Sequence, residues 1–195
     1  MSYTTILRNG LGESADTKNR VTQDDELMET LDGITATVVN AMAEGRTVFF
    51  CGNGGSSTDA EHLSAELLGR FKYDRPSMSS YCLASNTAAM TAIGNDYSYD
   101  LTFSRQLAGL GRKGDVLIGL STSGNSGNVV QAVLQAAEME ITTVAFTGAD
   151  GGKLAGLADF IFKAPSYETA RVQECHMAVG HTICEIVEAE VHPRS

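Results

Sequence analysis

Two short apolar runs, residues 47–51 (TVFFC) and 115–120 (DVLIGL), each lead without a break into a loop of glycine and hydroxyl side chains and then into a helical pattern. Runs this short, flanked by glycine, read as strands buried on both faces. The same order recurs along the chain. Residues 79–83, 141–146 and 159–163 read as three more strands, and helical patterns cover 24–44, 58–70, 87–93, 101–110, 129–139 and 168–190. In the first of these, Leu27, Leu31, Ile34, Val38 and Met42 recur at spacings of three and four, and Gly45 is a natural stop. Gly94-Asn95-Asp96 separates two of the helices. Five strands alternating with helices predict an α/β fold: a doubly wound five-stranded parallel sheet flanked by helices, opened by an N-terminal helical segment. With no linker inside this pattern, residues 21–195 read as a single domain. Residues 1–20, polar and carrying Gly10 and Gly12, read as a loose N-terminal arm. A chain of 195 residues buries enough core to fold without a disulfide or metal staple.

In such a sheet, ligands bind beyond the carboxyl ends of the strands, near the switch point of the strand order. The loops 52–57 and 121–126 fall there. The second offers four hydroxyls, from Ser121, Thr122, Ser123 and Ser126, ahead of a helix. Hydroxyl donors and a helix N-terminus suit a phosphate monoester, although the same residues also make ordinary turns with a serine cap. Overall charge shapes what this site must be. The chain has 14 Lys and Arg against 24 Asp and Glu, a formal net charge of −10. No basic run exists to displace counterions, which argues against nucleic acid as a partner. Any phosphate site is therefore local. The first loop has Ser57 where a dinucleotide fingerprint has its third glycine, and no Gly-Lys-Ser/Thr of a nucleotide-triphosphate loop is present. Cys51, Cys82, Cys175 and Cys184 form no CxxC pair, and no apolar stretch approaches the ~20 residues of a membrane span. Reduced thiols, a cytoplasmic location and no membrane partner are the expectation.

His62 and Glu66 lie four apart on a predicted helix, so they share a face. The pair suits one metal ion, or a base beside a metal, and equally suits a solvated helix face. On the last helix Gln173 and His181 lie eight apart, about 12 Å along the axis. Both reach one ion only if it sits between them over Met177, unless a bend or a subunit boundary relaxes that demand. His192 falls in the tail.

Taken in order, Cys51-Gly-Asn-Gly-Gly-Ser56, Asp59-Ala-Glu-His62 with Glu66, Gly94-Asn-Asp96, Ser121-Thr-Ser-Gly-Asn-Ser126, and Arg171-Val-Gln-Glu174 with His181 resemble the phosphoheptose isomerases of the sugar-isomerase (SIS) domain family. The resemblance spans about residues 25–190. It implies a SIS, flavodoxin-like sheet, a homotetramer with active sites between subunits, and conversion of sedoheptulose 7-phosphate to D-glycero-D-manno-heptose 7-phosphate. By the same resemblance, one zinc ion per subunit, at partial occupancy, falls to His62, Glu66, Gln173 and His181. Substrate contacts fall to Asn53, Gly54, Gly55, Ser56, Glu66, Asn95, Asp96, Ser121, Thr122, Ser123, Ser126 and Gln173. Glu66 and His181 are the implied catalytic pair. One departure is Ala170, at a position acidic in some relatives. Two other readings share the fold. One is a non-catalytic SIS scaffold that associates with a replication initiator; such scaffolds lack the glutamate and final histidine kept here. The other is a SIS isomerase of a different sugar phosphate.

Overall fold

A computed structural model describes residues 2–194; Met1 and Ser195, the outer ends of the predicted arm and domain, lie outside the described residues. The chain begins with α1 (Tyr3–Thr22) and α2 (Asp25–Ala43), then β1 (Val48–Gly52), α3 (Gly55–Leu68) and β2 (Ser80–Cys82). It continues through α4 (Thr87–Asp96), a 3-10 turn at Tyr99–Leu101, α5 (Thr102–Leu110), β3 (Val116–Leu120) and α6 (Gly127–Glu138). Next come β4 (Thr142–Thr147), a second 3-10 segment at Gly152–Gly156, β5 (Phe160–Lys163) and α7 (Thr169–Val191).

All pairings are parallel and the strand order is β2-β1-β3-β4-β5. The order turns back at the β1–β3 pair, where Gly52 lies in register with Leu120. The two glycine and hydroxyl loops thus leave neighbouring strands at the switch point, as the sequence predicts. One face of the sheet packs on α2, α3 and α7 through Ile34, Val38, Leu63, Leu67, Cys184 and Val187; the other packs on α5 and α6 through Phe103, Leu107, Val129 and Val133. β1 and β3 are buried throughout, which is why they read as unbroken apolar runs. Among the described residues no helix is long and apolar enough to cross a membrane.

Three expectations are corrected. The arm predicted to be loose is helical: Ser2 caps α1 through the Thr5 amide, and Arg171 on α7 donates to the Gly10 carbonyl at 2.9 Å. A tertiary contact thus outweighs the low helix propensity of two glycines. Gly94-Asn95-Asp96 is not a separator but the last turn of α4. The helices behind the two loops start earlier than their periodicity suggests, at Gly55 and Gly127.

Beneath β4 lies His176, fully buried between Phe146 and Phe162. Its Nε2 is 3.0 Å from the Thr147 carbonyl, which only accepts, so Nε2 carries the proton and Nδ1 is a bare acceptor without a partner. Burial pushes this imidazole down from 6.5 to about 4. Below pH 6.5 the unfolded chain binds a proton here that the folded chain refuses until about pH 4. The stability linked to His176 is therefore full above pH 6.5 and is lost as the pH falls toward 4, about 1.4 kcal/mol per unit. Urea midpoints at pH 7 and pH 4.5 should show a smaller drop in His176→Gln than in the native chain; equal drops would exclude this imidazole as the cause.

Candidate active site

α3 and α7 run side by side in the same direction. Gly180 of α7 faces Leu63 of α3 so closely that a Cβ there would lie 2.6 Å from both Leu63 methyl carbons. That close approach puts three groups from the two helices together. His62 Nε2 is 2.9 Å from His181 Nε2 and 3.1 Å from Glu66 Oε1. One donor atom from each of His62, Glu66 and His181 falls within 4.8 Å of the others, all from one chain. His62 is half exposed, while Glu66 and His181 are partly covered. Phe71 tilts against the His181 ring, with centroids 5.8 Å apart.

Two imidazole nitrogens and a carboxylate oxygen converging on one point form a donor set suited to a zinc ion with an open fourth position. Asp59, one turn before His62, has a buried Oδ2 with no partner. Burial raises the Asp59 carboxyl above the ordinary range, and His62 opposes the rise.

Gln173 is not in this cluster. Its amide lies across the head of α3, where Nε2 donates to Ser56 Oγ at 3.3 Å. A Cβ at Gly55 would lie 2.6 Å from that Nε2, so Gly55 leaves the room Gln173 occupies. The ~12 Å expected between Gln173 and His181 along α7 therefore sets them, within one chain, against two different places on α3.

At the carboxyl end of β3 the second loop folds on itself. Ser121 and Ser126 hydroxyls lie 2.9 Å apart, and the Ser126 amide donates to Ser121 Oγ at 3.4 Å. Ser126 is the cap residue of α6, yet its side chain makes no cap bond with the helix, leaving the first-turn amides without a side-chain partner. Gly124 takes a left-handed φ of 65° against the Gly151–Gly152 turn, and the Leu154 amide donates to its carbonyl at 3.1 Å. Thr122 and Ser123 lie on the accessible side of this braced loop.

Asn53 joins the two loops. It exchanges amide hydrogen bonds of 2.8 and 2.9 Å with Asn128, the second residue of α6, and accepts from the Tyr99 hydroxyl at 2.7 Å. Asn128 is buried and also donates to Thr102 Oγ1 at 3.3 Å. Neither Asn128 nor Tyr99 is apparent from the motifs. A polar residue on the buried face of an otherwise apolar helix was the available signal for Asn128. Asn95 and Asp96 stand apart at the end of α4, where the Asn95 amide donates to Asp96 at 2.9 Å; among the described residues neither bonds to either loop.

Comparison with known proteins agrees with this architecture. The family model for the SIS domain matches residues 13–148. A phosphoheptose isomerase of Sulfurimonas denitrificans is 43% identical over 185 residues, 95% of each chain. One from Akkermansia muciniphila is 48% identical over 162 residues, 83% of this chain and 86% of that one. The solved structure of a phosphoheptose isomerase from Neisseria gonorrhoeae superposes with a TM-score of 0.90 at 36% identity, covering 96% of this chain and 100% of that one.

Proposed function

Since the chain belongs to the SIS domain family, we propose that it is an aldose–ketose isomerase converting sedoheptulose 7-phosphate to D-glycero-D-manno-heptose 7-phosphate, for nucleotide-activated heptose synthesis. The observation that carries this reading is a carboxylate, Glu66, brought together with the imidazoles of His62 and His181 on two packed helices. The reaction moves one proton from C1 to C2 and one from the C1 oxygen to the C2 oxygen, through an enediol. Glu66 takes the proton from C1 and returns it to C2. His181 carries the proton between the oxygens. Glu66 and His181 together support an active enzyme rather than a SIS scaffold.

The phosphate sits at the head of α6, against the Ser121, Thr122, Ser123 and Ser126 hydroxyls and the uncapped amides. Asn53, Gly54, Gly55, Ser56 and Gln173 line the head of α3 for the sugar, and Asn95 and Asp96 complete the contacts. His62, Glu66 and His181 would hold zinc, which when bound polarises the sugar oxygens as a Lewis acid. Gln173 becomes a further ligand only if it leaves Ser56. The four free cysteines are all buried, in keeping with a cytoplasmic enzyme.

Glu66 lies about 16 Å down the α3 axis from Gly55. The substrate carries its carbonyl at the end opposite the phosphate, so base and anion loop belong apart. We assign the closing of this span to a homotetramer in which neighbouring copies share each site. Tyr3, Leu7 and Leu11 expose an apolar stripe on α1, and Met28 and Ile186 line a separate apolar groove beside Val21 at the other end of that helix. An exposed apolar surface of this kind suits subunit contact.

Incubating the protein with sedoheptulose 7-phosphate and detecting the aldoheptose phosphate tests the activity; no product would refute it. Added zinc should raise the melting temperature by mass action. The rise should vanish in His62→Ala and in His181→Ala, and a rise that persists in both would place the metal elsewhere.

A further inference from the structure

Thirteen residues after His62 the chain returns to this helix pair through a second, buried polar assembly that no step of the chemistry uses. Arg75 and Glu188 form an ion pair, Nε to Oε1 at 3.2 Å, with side chains only 2% and 1% exposed. Glu188 also accepts from the amides of Phe71 at 2.7 Å and Lys72 at 2.6 Å. Burial alone would raise the Glu188 carboxyl, but those amides and Arg75 hold it below its ordinary range. The Arg75 guanidinium donates to the carbonyls of Glu66 at 2.8 Å, Leu67 at 2.7 Å and Gly69 at 3.2 Å. The first two belong to the last turn of α3, where carbonyls lack a partner within the helix, and the third to its cap residue.

We infer that the Arg75–Glu188 pair is a positioning device for the candidate active site, and that it acts on His181 through the ring of Phe71. Arg75 fixes the turn that carries Glu66. Glu188 lies seven residues beyond His181, two turns along the same face of α7. It pins the Phe71 amide while the Phe71 ring lies against the His181 ring. The two groups assigned to proton transfer are thus held from behind by one ion pair. A buried ion pair is poor value as a source of stability, since apolar residues of equal volume often do as well. Its fixed geometry is what an apolar replacement would not supply.

The inference rests on the proposed isomerase activity, so its test has a readout besides turnover. Phe71→Leu keeps an apolar side chain and removes the ring. The His181 ring resonances, followed by NMR in the full chain, should shift in Phe71→Leu and in Glu188→Gln, the latter with Phe71 still present. Turnover of Phe71→Leu should fall between about 10- and 100-fold, as expected for a displaced catalytic group. KM should stay within about twofold, because phosphate binding is untouched. Phe71→Tyr, which retains the ring, should restore most of the turnover. Ile34→Val, a core variant on α2, serves as the control for stability loss alone. Unmoved His181 resonances in Glu188→Gln, which keeps the Phe71 ring, would overturn the inference, as would a turnover loss in Phe71→Leu no larger than in Ile34→Val. Should the native chain fail to isomerise sedoheptulose 7-phosphate, the activity reading falls, and the His181 resonances alone still decide the positioning.

Discussion

Glu66→Gln is expected to lower turnover of sedoheptulose 7-phosphate by roughly 10²–10⁴-fold, the range for loss of a general base, with sugar-phosphate binding retained. Glutamine keeps the shape of the side chain and its place beside His62 but cannot accept the proton from C1. Its partly exposed position makes a large folding defect an unlooked-for result. Glu66 is proposed both to hold zinc and to act as base, and the two roles compete because coordination lowers basicity. Measuring the zinc-induced rise in melting temperature in the same variant separates them. Lost turnover with the zinc response kept assigns the loss to proton transfer. Turnover near that of the native chain would remove Glu66 from the reaction.

Gly124→Ala should damage both folding and phosphate binding. The left-handed φ of 65° is costly for any residue with a Cβ. The added carbon would also lie 2.0 Å from the Gly151 carbonyl oxygen and 2.8 Å from the Gly152 nitrogen. Both are backbone atoms, so no side-chain rotation relieves the clash. Strain and overpacking together cost about 2–4 kcal/mol. At this chain length that corresponds to a fall in melting temperature of roughly 5–15 °C. The Ser123 carbonyl and Gly152 are packed just as tightly from the other side, so the loop must move to accept the methyl group. KM for the sugar phosphate should rise about tenfold or more, as for a lost charge-assisted contact. An unchanged melting temperature together with an unchanged KM would show that the loop is not held by this glycine contact.

The sheet was legible because burial on both faces leaves a simple mark, the unbroken apolar runs of β1 and β3 ending in glycine and hydroxyl loops. The pairing of His62 with Glu66 was also legible, since four residues is one helical turn. His181 was different: it reaches His62 only because α3 and α7 pack in parallel, and no spacing within either helix carries that information. Gln173 shows the same limit in reverse. The resemblance assigns it to the ion of His62 and His181, while within one chain the parallel packing sets it at the head of α3 beside Ser56. Arg75 and Glu188 leave no mark at all, because a buried charge and a solvated one are written with the same letters. In α1 the glycines pointed away from helix, and only the contact of Arg171 with Gly10 explains their place in one.

The contacts of α3 and the segment just after it with α7 keep nearly one sequence offset: Ser56 with Gln173 and Phe71 with Glu188 are 117 residues apart, and His62 with His181 are 119 apart. A single inserted or deleted residue in either helix would rotate everything beyond it by about 100°. Such a change upstream of His62 or of Gly180 would uncouple the cluster of His62, Glu66 and His181, the glycine contact and the ion pair in one stroke. Length variation in this lineage should therefore collect in the segments between β2 and β5 that lie off these helices. Within α3 and α7, change should proceed by replacement alone.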